Sequence, residues 1–259
     1  MSVPMPSPMD PLQAGARALW EGLAAVPVSF PPAGGVSVVV SPASGLCPAG
    51  WVGVVSLCGA ALVTAPTKRA ADLVRDALAT LPQDALTDAD AVRAALPVAR
   101  VLGPAALSYT SSDLFRPAAP GVLPVHRLPG GHSALRRLEE AAGADDTDEA
   151  ALDDITSPAF VIRAGDAGGP VIAAAGYRSW PGRAAHLSVL TDPALRGRGL
   201  ARVTASAAVT HALTAGLLPQ WRARLPASRR VAAALGFREL GAQLSIRLRS
   251  AGAQRHPRP

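Results

Sequence analysis

Three observations predict an α/β fold. Runs of β-branched and apolar residues alternate with helix-forming segments along most of the chain. Between His186 and Ala215 a strand, a glycine-spaced turn and an Ala-rich helix follow one another. Hydrophobic residues make up 49% of the 259 and charged residues 17%, which supplies a buried core and argues against wholesale disorder. The length suits one large domain or two small ones.

The first part of the chain reads as a small α/β unit. Met1 to Pro11, rich in Pro and Met, is expected to be frayed. Asp10 can cap a helix from Pro11 to about Ala25, with Leu12, Ala16, Leu19 and Leu23 on one face. Val36 to Val40 is a strand by β-branching, and Val52 to Leu57 with Ala60 to Val63 form a hairpin about Cys58-Gly59. Helices are expected from Thr67 to Leu81 and from Thr87 to Leu96, and a short strand from Leu107 to Thr110. Nothing here carries a Gly-rich anion turn, paired carboxylates with a base, or a ligand cluster.

The Pro-containing connection from Arg116 to Gly121 is a plausible boundary. This divides the chain into an N-terminal accessory domain (1–121), a second domain (122–250) and a basic tail (251–259). In the second domain the expected order is a strand from Val122 to Arg127, then a helix from Ser133 to Ala142. A short acidic helix ending at Leu152 precedes a hairpin of Ala159 to Arg163 with Pro170 to Trp180. The strand ending His186-Leu187-Ser188-Val189-Leu190-Thr191 is stopped by Asp192-Pro193. The turn Arg196-Gly197-Arg198-Gly199-Leu200-Ala201 opens a helix that Gly216 closes. A strand from Leu217 to Leu225, a helix from Ser228 and closing strands within Phe237 to Arg249 complete it.

A helix N-terminus behind a glycine turn offers free N–H groups, and with arginines beside it suits a phosphate. The spacing narrows the choice. A Walker loop needs Gly-Lys followed by Ser or Thr, and the dinucleotide fingerprint needs a third glycine where Arg202 stands. What remains is Arg-x-x-Gly-x-Ala, read as Arg196, Gly199 and Ala201. It resembles the acetyl-CoA signature Q/R-x-x-G-x-G/A of the GNAT superfamily of N-acetyltransferases. Leu190-Thr191-Asp192-Pro193 stands where that family has its strand end and corner, and Leu235-Gly236-Phe237 matches its "LGF" ending. The specific motifs lie within Ala184 to Phe237, and the element order fits from Val122 to Ser250.

The resemblance implies a mixed, mostly antiparallel sheet flanked by helices, with the N-terminal part a smaller α/β domain or a degenerate copy of the same fold. It implies acetyl transfer from acetyl-CoA, bound as cosubstrate, to an amine by direct attack on the thioester. Val189, Leu190 and Thr191 would then hold pantetheine by main chain. Arg196, Gly197, Arg198, Gly199, Leu200 and Ala201, with Ser228, would hold the rest of the cofactor. The acid for the departing thiolate is often a Tyr in the helix before "LGF", but Ala232 stands there, and Leu225 replaces a frequent Asn. His186 is the best candidate base: its reference pKa of ~6.5 suits proton abstraction near neutrality. Tyr177 and Ser188 are weaker candidates, and Trp180 and Trp221 could line an acceptor pocket.

Charge is unevenly placed. Gly176 to Pro259 holds fourteen Arg against Asp192 and Glu239, a net +12, whereas the preceding residues sum to −6. A basic half points to a polyanionic partner, which CoA satisfies. A nucleic-acid module is the last rival, since no helix-turn-helix or base-stacking motif accompanies the charge. A non-catalytic acyl-CoA binder is the nearer rival, favoured by Ala232 and Leu225. Cys47 and Cys58 make neither a disulfide framework nor a zinc spacing, so no metal is expected and both thiols read as inert. No signal-peptide pattern or ~18-residue apolar run is visible, which reads as a cytoplasmic chain without a membrane span. The acceptor, a small-molecule or peptide amine, and a homodimer are left open.

Overall fold

The computed structural model describes residues 10–119, 123–165, 168–181 and 183–249. The expected frayed start, the basic tail, the boundary at Gly121 and the strand start at Val122 lie outside these. The chain forms two compact units: residues 1–105 with 240–259, and residues 106–239. Strands β4 (Val98–Tyr109) and β10 (Arg238–Leu248) contribute residues to both.

In the first unit the strand order is β1-β3-β2-β10, with β1 spanning Val36–Val40, β2 Val52–Leu57 and β3 Ala60–Ala65. The β2–β3 hairpin turns on Cys58 and Gly59, whose φ angles of 50° and 74° supply the positive pair that a tight hairpin needs. Strand β1 joins β3 in parallel, and β10 joins β2 antiparallel. Helix α1 (Pro11–Leu23) is capped by Asp10, which accepts from Leu12 N–H, and buries Leu12, Ala16, Leu19 and Trp20. Helices α2 (Lys68–Leu78) and α3 (Ala89–Ala95) bury Val74, Leu78 and Val92 with Val54, Val63, Leu244 and Ile246. Cys47 is half-buried, and burial pushes its thiol up to about 11, so it is inert near neutrality.

The second unit orders its strands β4-β9-β8-β7-β6-β5, where β5 is His126–Leu128, β6 Ala159–Arg163, β7 Val171–Trp180, β8 Ala184–Thr191 and β9 Leu218–Ala223. Its strand pairings are antiparallel except β8 with β9. Helices α4 (Ser133–Ala142) and α5 (Ala144–Ala150) cover one face, with Leu135, Leu138 and Ala150 against Val161, Ala174 and Leu190. Helices α6 (Leu200–Thr214) and α7 (Pro226–Ala234) cover the other. There Ala205, Ala208, Val209 and Ala212 pack on Ala175, Tyr177, Ala185 and Leu187. Small side chains on α6 let the helix lie close to the sheet. The chain is thus a mixed, mostly antiparallel α/β structure with helices flanking the strands.

Several boundaries depart from expectation. The short strand expected from Leu107 is the end of the 12-residue β4, and the expected closing strands are one strand, β10. Helix α7 starts at Pro226 rather than Ser228, since a proline at the first helical position loses no bond the helix would have made. Among the described residues no helix is long and apolar enough to cross a membrane.

Gly241 allows β10 to pass β2 at close range. A Cβ there would lie 1.8 Å from the Ser56 carbonyl oxygen, which is backbone and cannot swing aside. Gly241→Ala is therefore expected to destabilise the protein by about 3 kcal/mol or more, read as a lower urea midpoint. An unchanged midpoint would show that the two strands separate freely there.

Candidate functional site

Strands β8 and β9 pair over three residues only, Ala184 with Leu218, Ala185 with Pro219 and His186 with Gln220. Each strand is held on its other side. Strand β7 pairs β8 from Ala184 through Thr191, and β4 pairs β9 from Gln220 to Ala223. With both outer edges fixed, the inner edges diverge beyond His186 and Gln220. A cavity of about 460 Å³ lies in this fork, lined by Leu187, Val189, Leu190 and Thr191 of β8 and by Trp221 and Arg222 of β9. Main-chain groups of β8 that face the fork have no strand to bond, so they are available to an extended ligand.

The turn after β8 closes one end of the cavity. Asp192 accepts from Ala194 N–H at 2.9 Å and starts a single 3-10 turn, Pro193–Leu195. Gly197 and Gly199 then adopt φ of 79° and 77°, a region that costs a side-chain-bearing residue energy even though a Cβ at either would meet open space. Helix α6 has no side-chain cap, and its first bond runs from Val203 N–H to Gly199 C=O. The amides of Leu200, Ala201 and Arg202 thus precede the helical ladder and carry the positive end of its dipole. Thr191 is 8% exposed, and its Oγ1 is buried without a hydrogen-bond partner. A buried hydroxyl left unpaired costs roughly 1–3 kcal/mol.

All but one of the residues expected around the cofactor meet here. Val189, Leu190, Thr191, Arg196, Gly197, Gly199, Leu200, Ala201 and Ser228 line the cavity, whereas Arg198 is exposed outside it. Ser228 Oγ accepts from the Trp221 indole N–H at 2.9 Å, which leaves the Ser228 proton free to donate. Arg196 is tied to Asp146 at 2.6 Å, and Arg224 is ion-paired with Glu149. Both acids line the cavity from α5, a contribution that the acidic run in the sequence did not disclose because their partners are 50 and 75 residues away. Arg222 keeps part of its side chain at the surface, yet burial around the guanidinium pulls its pKa below the ordinary value, with Glu149 opposing.

The three residues expected to move protons are split between the two faces of the sheet. His186 lies on the α4–α5 side, where its ring stacks on Trp180 at 4.5 Å and 14°, and Nδ1 lies 2.8 Å from Gln220 Oε1. Ser188 shares that face and donates to the Ala151 carbonyl at 3.1 Å. Tyr177 faces α6 instead, in the apolar core, with its hydroxyl 2.9 Å from His211 Nδ1 and its pKa raised by burial. None of the three lines the cavity itself, but His186 immediately precedes the point where β8 and β9 part. Ala232 is buried in the core, so no side chain there could act as an acid.

Burial lowers the His186 pKa to about 4, and the Arg222 charge adds to the effect while the Gln220 hydrogen bond opposes it. The native state therefore binds fewer protons than the unfolded chain between pH 6.5 and 4. Stability present above about pH 6.5 is lost as pH falls through this window. His186→Gln is expected to remove that portion of the acid sensitivity, seen in urea midpoints from pH 7 to pH 4. Parallel pH curves for the two proteins would contradict the assignment.

Residues 160–242, which include β8, the turn, α6 and α7, match the GNAT acetyltransferase family. No curated protein matches the chain. A GNAT-family protein from Novosphingobium aromaticivorans is 22% identical over 57% of this chain and 65% of its own, with a TM-score of 0.43. A GNAT-family acetyltransferase from Colwellia psychrerythraea is 14% identical, with 71% and 75% covered and a TM-score of 0.44. The Salmonella typhimurium protein yncA, solved with its cofactor acetyl-CoA, is 19% identical over 51% of this chain and 98% of its own, at a TM-score of 0.34. The similarity to the GNAT acetyltransferase family thus lies in the C-terminal half of the chain, over residues 160–242.

Proposed function

We propose that the fork between β8 and β9 binds acetyl-CoA and that the second unit transfers its acetyl group to an amine. The observation that carries this reading is the buried, unpartnered Thr191 hydroxyl in a cavity that also meets an uncapped helix N-terminus. A long ligand with a polar arm and a phosphate end fits both. The main chain of Val189, Leu190 and Thr191 would hold the pantetheine arm. The amides of the Gly197–Arg202 turn would cradle the diphosphate, with Arg196 oriented beside them by Asp146.

Bound acetyl-CoA supplies an electrophilic thioester carbonyl and a thiolate leaving group. His186, neutral at pH 7, would take the proton from the acceptor nitrogen. A base this weak suits poorly a free ammonium but well the far more acidic N–H of a nitrogen that is bonding to a carbonyl carbon. Ser228, its oxygen already accepting from Trp221, can donate a hydrogen bond to the departing thiolate, which leaves as the anion and takes its proton from solvent; Ala232 can make no such bond. The acceptor is a small-molecule or peptide amine.

Calorimetric titration with acetyl-CoA tests the site. The wild type should bind, and Thr191→Val should weaken binding about five- to tenfold by removing one hydrogen bond. Gly199→Glu, checked for folding by circular dichroism, should abolish binding by setting a carboxylate against the diphosphate. Absence of wild-type binding would sink the reading. His186→Gln should lower turnover by about a hundredfold or more with acetyl-CoA affinity unchanged. Binding without turnover across a broad amine panel would favour a non-catalytic acyl-CoA binder.

A further inference from the structure

Register places four side chains in a row across adjacent strands on one face of the second unit. Tyr109 of β4 is opposite Gln220 of β9, Gln220 is opposite His186 of β8, and His186 is opposite Arg178 of β7. Tyr109 and Gln220 are fully buried. Gln220 is also the last β9 residue paired with β8, so its backbone is fixed from both sides just before the fork opens.

A buried amide must satisfy a donor end and an acceptor end. The Gln220 Nε2 donates to the Tyr109 hydroxyl at 3.3 Å, and its Oε1 lies 2.8 Å from His186 Nδ1. An amide oxygen can only accept, so Nδ1 must carry the imidazole proton. Nε2 is then the lone-pair nitrogen. The opposite amide orientation would put N–H against Nδ1, leave the proton on Nε2, and remove basicity from the only other ring nitrogen.

We propose that Gln220 is a positioning residue that fixes His186 as the Nδ1–H tautomer and so makes Nε2 the atom that accepts the acceptor's proton; this rests on the reading of His186 as the base. The neighbours are consistent with a neutral partner at Nδ1. Arg222 on β9 and Arg178 on β7 disfavour a charged imidazolium, and Asp154, paired with Arg178 at 2.9 Å, offsets them in part. The Trp180 ring covers one face of the imidazole and keeps it from turning out of line. A carboxylate in place of Gln220 would orient the ring equally well but would favour the protonated form. The neutral amide orients the ring without adding that charge.

Nitrogen-15 NMR of the imidazoles in the full chain at pH 7 tests the tautomer without reference to activity. His186 is expected to show a protonated Nδ1 and a bare Nε2. Gln220→Leu should give mixed tautomers and at least a tenfold lower kcat with KM for acetyl-CoA unchanged. The isosteric Gln220→Glu should restore the Nδ1–H tautomer and move the acid limb of kcat/KM up by about one pH unit or more. A wild-type spectrum with the proton on Nε2, or a Gln220→Leu spectrum identical to the wild type, would overturn the proposal. A wild type with the Nδ1–H signal together with full turnover in His186→Gln would instead overturn the base reading, and the positioning role would fall with it while the tautomer stood.

Discussion

The candidate site is built on a fork between β8 and β9, each strand held by backbone pairing on its other side. Strand β8 pairs β7 along its whole length and β9 pairs β4, yet β8 and β9 share only three paired residues before they part. In a parallel ladder that continued, the polar groups now facing the cavity would be spent on each other. The fork leaves them for a ligand and directs the next turn, with its two positive-φ glycines, across the open end.

Electrostatics within the second unit are more balanced than the linear charge distribution implies. The acids that answer Arg196 and Arg224 come from α5, on the acidic side of the sequence division, and fold against the basic side. Such partly exposed pairs contribute about 1 kcal/mol or less each to stability. Their value is in orientation: they tie the Arg196 and Arg224 guanidinium groups to α5. The surplus of arginine is therefore partly internal bookkeeping and only partly a field for a polyanion.

Much of this was legible in the sequence where local chemistry decides. The stretch from His186 to Phe237 announces its strand, glycine turn and helix through β-branching, proline and glycine, and the cofactor residues expected from it gather in one cavity apart from Arg198. Strand β4 was underestimated because Gly103-Pro104 interrupts its middle, and a proline inside a run argues against a strand unless partners are known. Strand β10 was read as several pieces because Gly241 interrupts it, and the need for that glycine lies in Ser56, far away in sequence. Tyr177 looked available but faces the core, since strand alternation alone does not say which face α6 covers. Gln220 gave no signal at all; its meaning comes from standing opposite both Tyr109 and His186.

The central claim is that a phosphate-bearing acyl carrier sits in this fork with its diphosphate on the α6 N-terminus. Amide chemical shifts recorded on adding CoA to the labelled full chain test it most directly. The account requires large downfield shifts of the Gly197 to Arg202 amides, with smaller ones along Val189 to Thr191. Shifts confined to residues away from the fork, or no shifts at millimolar CoA, would contradict it.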